Sequence, residues 1–170
     1  MTTGAAPLIE QAEARLAQDD RFGVVLAAIL NASPRSAGRY RRAAAAAVNE
    51  QRLADALDAF RAAALPTGEV QALLALGTPQ AVHRLRSRGR IIGRHLGNTT
   101  WFPAWQFAGG HLRADLPRLL ELLGRFSTDA VAADRVMRLE RSELRGLSIA
   151  ETLDDPKRAP IAWILLEQLG

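Results

Sequence analysis

The run from Pro66 to Phe107, PTGEVQALLALGTPQAVHRLRSRGRIIGRHLGNTTWFPAWQF, carries turn and cap signals at such close spacing that few folds accommodate it. Thr67 is positioned to cap a first helix with apolar residues at Val70, Leu73, Leu74 and Leu76. Gly77 is expected to make the turn. Thr78 then caps a second helix, with Pro79 at the first helical position, where a missing N–H costs nothing. That helix buries Ala81, Val82 and Leu85, and Gly89 ends it. Ile91–Leu96 reads as a strand, Gly97-Asn98 as a hairpin turn and Thr99–Phe102 as the returning strand, closed by Pro103.

Charge is distributed unevenly around this unit. Between Glu69 and Asp115 there is no acidic residue, while Arg84, Arg86, Arg88, Arg90, Arg94 and Arg113 are all basic. Residues 66–114 therefore carry +5, against +1 for 1–65 and −2 for 115–170. A local basic surplus suits a polyanion, because phosphate neutralisation drives the sequence-independent part of DNA affinity. The alternative is a solvated arginine-rich helix in a chain that uses 21 Arg and one Lys.

On these residues the chain resembles a known class. The run GTPQAVHRLRSRGRIIGRHLGNTTWFP is similar to the small winged helix-turn-helix of the MerR/excisionase class. The longer stretch through PAWQF and GGHLRADLPRLLELL resembles a group of actinobacterial DNA-binding proteins. In that group the winged unit precedes a helical tail like the Xre/MbcA/ParS antitoxin domain. The resemblance covers about residues 66–124, is weaker over 125–170, and is absent over 1–65. It implies binding to double-stranded DNA and, through the tail, to a toxin protein. Gly146, Ser148, Ile149 and Leu153 match the antitoxin segment, with Ile149 where proline is usual.

The remaining chain reads as helical. With 170 residues and 48% apolar content it can bury a core, as one domain or two small ones. Residues 1–7 are expected to fray. Leu8–Gln18 is a polar helix, and Phe22, Val25, Leu26, Ile29 and Leu30 form an apolar stripe behind Asp19 and Asp20. Ser33-Pro34 starts one long helix to about Leu65, or two broken near Asn49, with Leu53, Leu57, Phe60 and Ala64 as its stripe. Its arginines, Arg35, Arg39, Arg41 and Arg42, read as a solvated face or as phosphate contacts. The small surface of Ala43–Ala47 invites close packing, and a homodimer is expected by the paired half-sites of many helix-turn-helix proteins.

Beyond the hairpin, Pro103–Phe107 starts a helical turn in which Trp105 and Phe107 pack inward, while Trp101 faces either the core or a groove. Gly109-Gly110 makes a loop, and DLPRLLELLG a helix closed by Gly124. Ser127 caps a helix from Thr128 to about Arg141 with an apolar face at Val131, Val136 and Leu139. Ser148 and Glu151 form a capping box. Asp155-Pro156 starts a last helix whose Ile161, Trp163, Ile164, Leu165, Leu166 and Leu169 are apolar nearly all round. That helix either closes the tail's core or leaves a patch for a partner.

Enzymatic chemistry is not expected. The chain has no cysteine, and His83, His95 and His111 have no second ligand at metal spacing. No phosphate-cradling glycine loop or nucleophile elbow occurs, so no catalytic residue, metal or cofactor is assigned. No apolar run approaches the roughly 20 residues a membrane span needs. MTTGAAPLIEQAEARL lacks the pattern of a secretory leader, so a cytoplasmic location is expected, nucleoid-associated when bound to DNA.

The expectation is thus a mainly α protein with an N-terminal helical region (1–65), a central winged helix-turn-helix with a two-stranded wing (66–114) and a C-terminal helical, antitoxin-like tail (115–170). Its expected role is sequence-specific DNA binding in transcription; an autoregulating antitoxin and a nucleoid architectural protein are the alternatives. The candidate DNA residues are Gln71, Thr78, Gln80, His83, Arg84, Arg86, Ser87, Arg88, Arg90, Arg94, Asn98 and Thr99. Of these, Gln80, His83, Arg84 and Ser87 share one helix face. Leu153, Ile161, Trp163, Ile164 and Leu165 are the candidate protein-partner residues.

Overall fold

Alternating cap residues, prolines and glycines cut the chain into short helices and hairpins, and the structure follows most of these cuts. It is a computed structural model that describes residues 13–30 and 37–169. The expectations for residues 1–12, Ser33-Pro34 and Arg35, and for the side chains of Ile29, Leu30, Arg39 and Arg41, lie outside the described residues. The chain divides into two compact units, Met1–Ala54 and Asp55–Gly170. It is mainly helical, with small antiparallel sheets.

In the first unit, helix α1 spans Asp20–Leu30. The Asp19 carboxylate accepts the Arg21 N–H at 2.9 Å, capping the helix start. Phe22, Val25 and Leu26 are half-buried, not the closed stripe expected of them. Helix α2, Ala37–Ala62, runs without a break at Asn49.

The second unit begins within the last turns of α2, where Phe60 is fully buried. The helix does not reach Leu65. Instead Ala64–Pro66 forms strand β1, because a residue before proline disfavours the helical region. Helix α3, Thr67–Leu73, and helix α4, Pro79–Ser87, come next. Strands β2, Arg94–Leu96, and β3, Thr99–Pro103, form the expected hairpin about Gly97-Asn98, with Leu96 opposite Thr99. The sheet has three strands rather than two, in the order β1-β3-β2, and Leu65 lies opposite Phe102. Pro66 is tolerated because β1 is an edge strand.

Several local expectations are corrected by where hydrogen bonds go. Pro66, not Thr67, holds the cap position of α3, and the Thr67 hydroxyl donates to the Thr100 carbonyl at 3.1 Å. The turn after α3 is made by Ala75, with φ of 50°, and not by Gly77. The Ala75 and Leu76 N–H groups bond back to Ala72 and Gln71, a Schellman closure that brings Leu76 against the core. Thr78 does occupy the cap position of α4 with Pro79 behind it, though its hydroxyl makes no cap bond. Gly89, at φ of 65°, closes α4 as expected. Strand β2 starts at Arg94 instead of Ile91, because the Ile92 backbone is bonded to the Gln106 side chain.

A 3-10 turn at Ala104–Gln106 leads into the β4–β5 hairpin, Phe107–Ala108 with His111–Leu112. Gly109 and Gly110 both have positive φ, as a tight two-residue hairpin turn requires. Helix α5 runs Leu116–Phe126, so Gly124 lies inside it and Ser127 follows its end. Helix α6 is Ala130–Arg138, capped by Asp129, whose carboxylate accepts the Ala132 N–H at 3.3 Å. An aspartate cap displaces the expected Ser127 cap, and Ser127 Oγ accepts the Asp129 N–H instead. The buried face of α6 is Ala130, Ala133, Asp134, Val136 and Met137, while Leu139 is 50% exposed.

Strands β6, Glu140–Arg141, and β7, Leu147–Ser148, flank a 3-10 turn and lead to the short helix α7, Ile149–Thr152. The capping box is present: Glu151 accepts the Ser148 N–H at 2.8 Å and donates its own N–H to Ser148 Oγ at 3.3 Å. The last helix, α8, is Ala159–Glu167, so Asp155-Pro156 lies in a turn ahead of it and Pro160 sits in its first turn. Residues 66–114 and 115–170 supply one common core, from Val70, Val82, Ile91, Phe102 and Trp105 to Leu119, Met137, Ile149 and Leu166.

Candidate nucleic-acid interface

Helix α4 presents two faces of opposite character. Val82 is fully buried and Leu85 half-buried against the core. On the far side Gln80, His83, Arg84 and Ser87 are exposed together, as the helical spacing predicts. Thr78, Arg86, Arg88, Arg90 and Asn98 are also exposed, whereas Gln71 and Thr99 are half-buried.

The arginines do not form one equivalent set. Arg84, Arg86, Arg88 and Arg90 make no ion pair among the described residues. Arg86 is nonetheless engaged, donating Nε–H to the Gly93 carbonyl at 3.1 Å. Arg94 on β2 pairs with Asp129 at 3.2 Å, with both groups about half open to solvent. Arg113 leaves the patch altogether. Its side chain is only 6% exposed and lies 2.9 Å from both Asp115 and Asp154. Burial alone would lower its pKa, but the hydrogen bonds and charges of the two carboxylates more than compensate and raise it.

Behind the exposed face, the PAWQF run is structural. Trp105 donates its Nε1–H to Asp134 at 3.1 Å, and Asp134 is itself buried. Burial pushes the Asp134 carboxyl up to about 6, against the opposing pull of Arg138 and of the indole hydrogen bond. Trp101 faces a small apolar cluster with Phe60, Ala64, Leu96 and Val131, not a groove, and the Arg61 guanidinium lies 6.0 Å from its ring centre. The hairpin is therefore backed on one side by the end of α2 and the start of α6.

The proposed partner residues of the tail separate in the same way. Leu153 is buried, and Trp163 and Leu165 are half-buried against the core. Ile161 and Ile164 remain exposed, at 40% and 53%. The Arg118 guanidinium covers Trp163 at 4.7 Å and pairs with Glu167.

The chain matches no family model, no curated protein and no solved structure. Among the described residues no group of three His, Cys, Asp or Glu side chains is placed to hold a metal ion, and no helix is long and apolar enough to cross a membrane.

Sequence reasoning did not single out Gln106, Asp129 and Asp134, three polar residues that fix the surroundings of this surface. Gln106 had a readable signal: a lone amide amid Pro103, Trp105 and Phe107 is a polar group in an apolar run, and such groups are buried with partners. Asp129 and Asp134 had none, because their partners Arg94 and Trp105 are distant in sequence.

Proposed function

We propose that the helix pair α3–α4 with its three-stranded sheet is a winged helix-turn-helix and that the protein is a sequence-reading DNA-binding regulator. The observation that carries this reading is the outer face of α4. There an amide, an imidazole, a hydroxyl and an arginine stand together in solvent, flanked by Arg88 and Arg90, which no carboxylate among the described residues neutralises. Such side chains suit a major groove: Gln80 at the helix start can read adenine bidentately, and Arg84 can read guanine. Arg88, Arg90 and the hairpin residues Arg94, Asn98 and Thr99 contact flanking phosphates, Thr78 holds the DNA backbone at the start of α4, and Gln71 holds a phosphate from α3.

A second reading rests on Ile161 and Ile164. An apolar pair left exposed on the last helix favours a protein partner, in the manner of an antitoxin that also binds its own operator. In either case a homodimer on paired half-sites, in the cytoplasm, is the working arrangement.

The deciding experiment is fluorescence anisotropy with genomic fragments, including DNA upstream of the protein's own gene, titrated across salt. Tight, salt-steep binding to one fragment that is lost in Arg84→Ala/Arg88→Ala supports a regulator. Equal affinity for every fragment supports an architectural role instead, and absence of binding at low salt rejects DNA as the partner.

A further inference from the structure

The segment between α4 and the hairpin, Arg90 to Gly93, belongs to no helix or strand. Such a connection is ordinarily where two elements move relative to each other. Here its polar backbone is tied on both sides. The Arg90 N–H bonds back to the Leu85 carbonyl at 2.9 Å, completing the Schellman closure of α4. The Ile92 N–H donates to Gln106 Oε1 at 2.7 Å, and Gln106 Nε2 donates to the Ile92 carbonyl at 2.8 Å. The same Nε2 reaches the Pro103 carbonyl at 3.2 Å. From the opposite side, Arg86 of α4 holds the Gly93 carbonyl.

Gln106 is fully buried, and its amide is satisfied entirely by backbone groups of the connection and of the β3 end. Its own carbonyl accepts the Arg113 N–H at 3.0 Å, which anchors the clamp in turn. Gly93 adds a steric lock. A Cβ there would stand 2.6 Å from the Phe102 ring and 2.9 Å from the Trp101 carbonyl, so the connection presses flat on β3.

We infer that Gln106 and Arg86 are positioning residues that fix the hairpin relative to α4, so that the helix face and the hairpin meet one DNA duplex as a preorganised surface. The inference rests on the DNA-binding reading above and refines it. Arg86 acts through the Gly93 carbonyl and not as a base reader. A connection held rigid before binding does not have to be ordered during it, so hairpin phosphate contacts form at less entropic cost.

The test uses the full chain and two readouts. In free protein, amide hydrogen exchange is followed residue by residue. With a random-sequence DNA duplex, anisotropy gives the slope of log affinity against log salt. Gln106→Met, similar in size but without polar atoms, is expected to raise exchange at Ile92 and across Arg94–Thr99 at least tenfold. Protection within Leu116–Phe126 and Ala130–Arg138 is expected to hold. The salt slope is expected to fall by roughly one, the loss of one hairpin phosphate contact.

Gln106→Glu is the companion should Gln106→Met unfold. Protonated, the introduced acid can still donate to the Ile92 carbonyl; ionised, it cannot. Hairpin protection should therefore return as pH is lowered. Exchange that rises uniformly across the unit, or a loosened hairpin with unchanged affinity and slope, would overturn the positioning role. A wild type that binds no duplex sinks the DNA reading instead, and the exchange data, which need no DNA, tell that failure apart from failure of the clamp.

Discussion

Arg94 on the hairpin and Asp129 at the head of α6 stand 3.2 Å apart, so the carboxylate that caps a helix also occupies an arginine to which the proposed function gives a flanking phosphate. In the proposed complex the phosphate must displace Asp129 or share Arg94 with it. Asp129→Asn removes the competing charge and keeps the cap, because asparagine caps helices as well as aspartate does. An exposed pair contributes roughly 0.2–1 kcal/mol, so DNA affinity at low salt is expected to rise by a factor between about 1.4 and about 5. Anisotropy on a single duplex measures this; unchanged affinity would place Arg94 outside the contact.

Arg113 makes the opposite case among the basic residues. It is buried, and its partners Asp115 and Asp154 join the β5 end to the turn before α8. Arg113→Met deletes two ion pairs and leaves Asp115 half-enclosed without its cation. A loss of about 2 kcal/mol in unfolding free energy is expected by urea titration. DNA affinity of the folded fraction is expected to stay at wild-type level, whereas Arg84→Ala is expected to weaken DNA binding with unchanged stability.

Local chemistry was legible where a residue's partner lies within a turn of it. The Pro79 start, the Gly89 stop, the Gly97-Asn98 hairpin and the Ser148–Glu151 box are all decided within a few residues. Long-range pairing was not legible. Leu65 looks helical until Phe102 is found opposite it, and Arg113 looks like part of a basic patch until Asp154 is found beside it. The start of β2 shifted for the same reason, since Ile92 reads as strand unless the Gln106 amide is known to take its backbone. The exposed face of α4 was legible because helical periodicity alone separates Gln80, His83, Arg84 and Ser87 from Val82.

Two backbone positions test the geometry of the turns. Ala75 sits at φ of 50°, where a Cβ costs roughly 1–2 kcal/mol. Ala75→Gly is expected to stabilise by about 0.5 kcal/mol after the glycine's extra freedom in the unfolded chain is counted. Gly93→Ala is expected to destabilise by about 2 kcal/mol, because its Cβ meets the Phe102 ring and the Trp101 carbonyl at under 3 Å. Thermal unfolding of both variants checks the pair, and Gly77→Ala, which meets open space without positive φ, serves as the neutral control.

Asp134 makes stability depend on pH in a direction opposite to most carboxylates. Its pKa is raised from 3.8 to about 6 by burial beneath the Trp105 indole, so the folded state prefers the protonated form. A carboxyl raised in this way contributes stability that is fully present below about pH 4 and is lost as pH rises through about 6. The loss across that window is on the order of 2–3 kcal/mol. Glu151, held below its ordinary value by the Ser148 hydroxyl and N–H, acts in the reverse sense and loses its contribution as pH falls. Asp134→Asn keeps an acceptor for the indole N–H and removes only the titration. Unfolding free energies of variant and wild type are therefore expected to diverge from pH 4 to pH 7, with the variant gaining. Parallel curves would show that Asp134 is ionised throughout, and that Arg138, 3.6 Å from its carboxylate, neutralises it in the folded state.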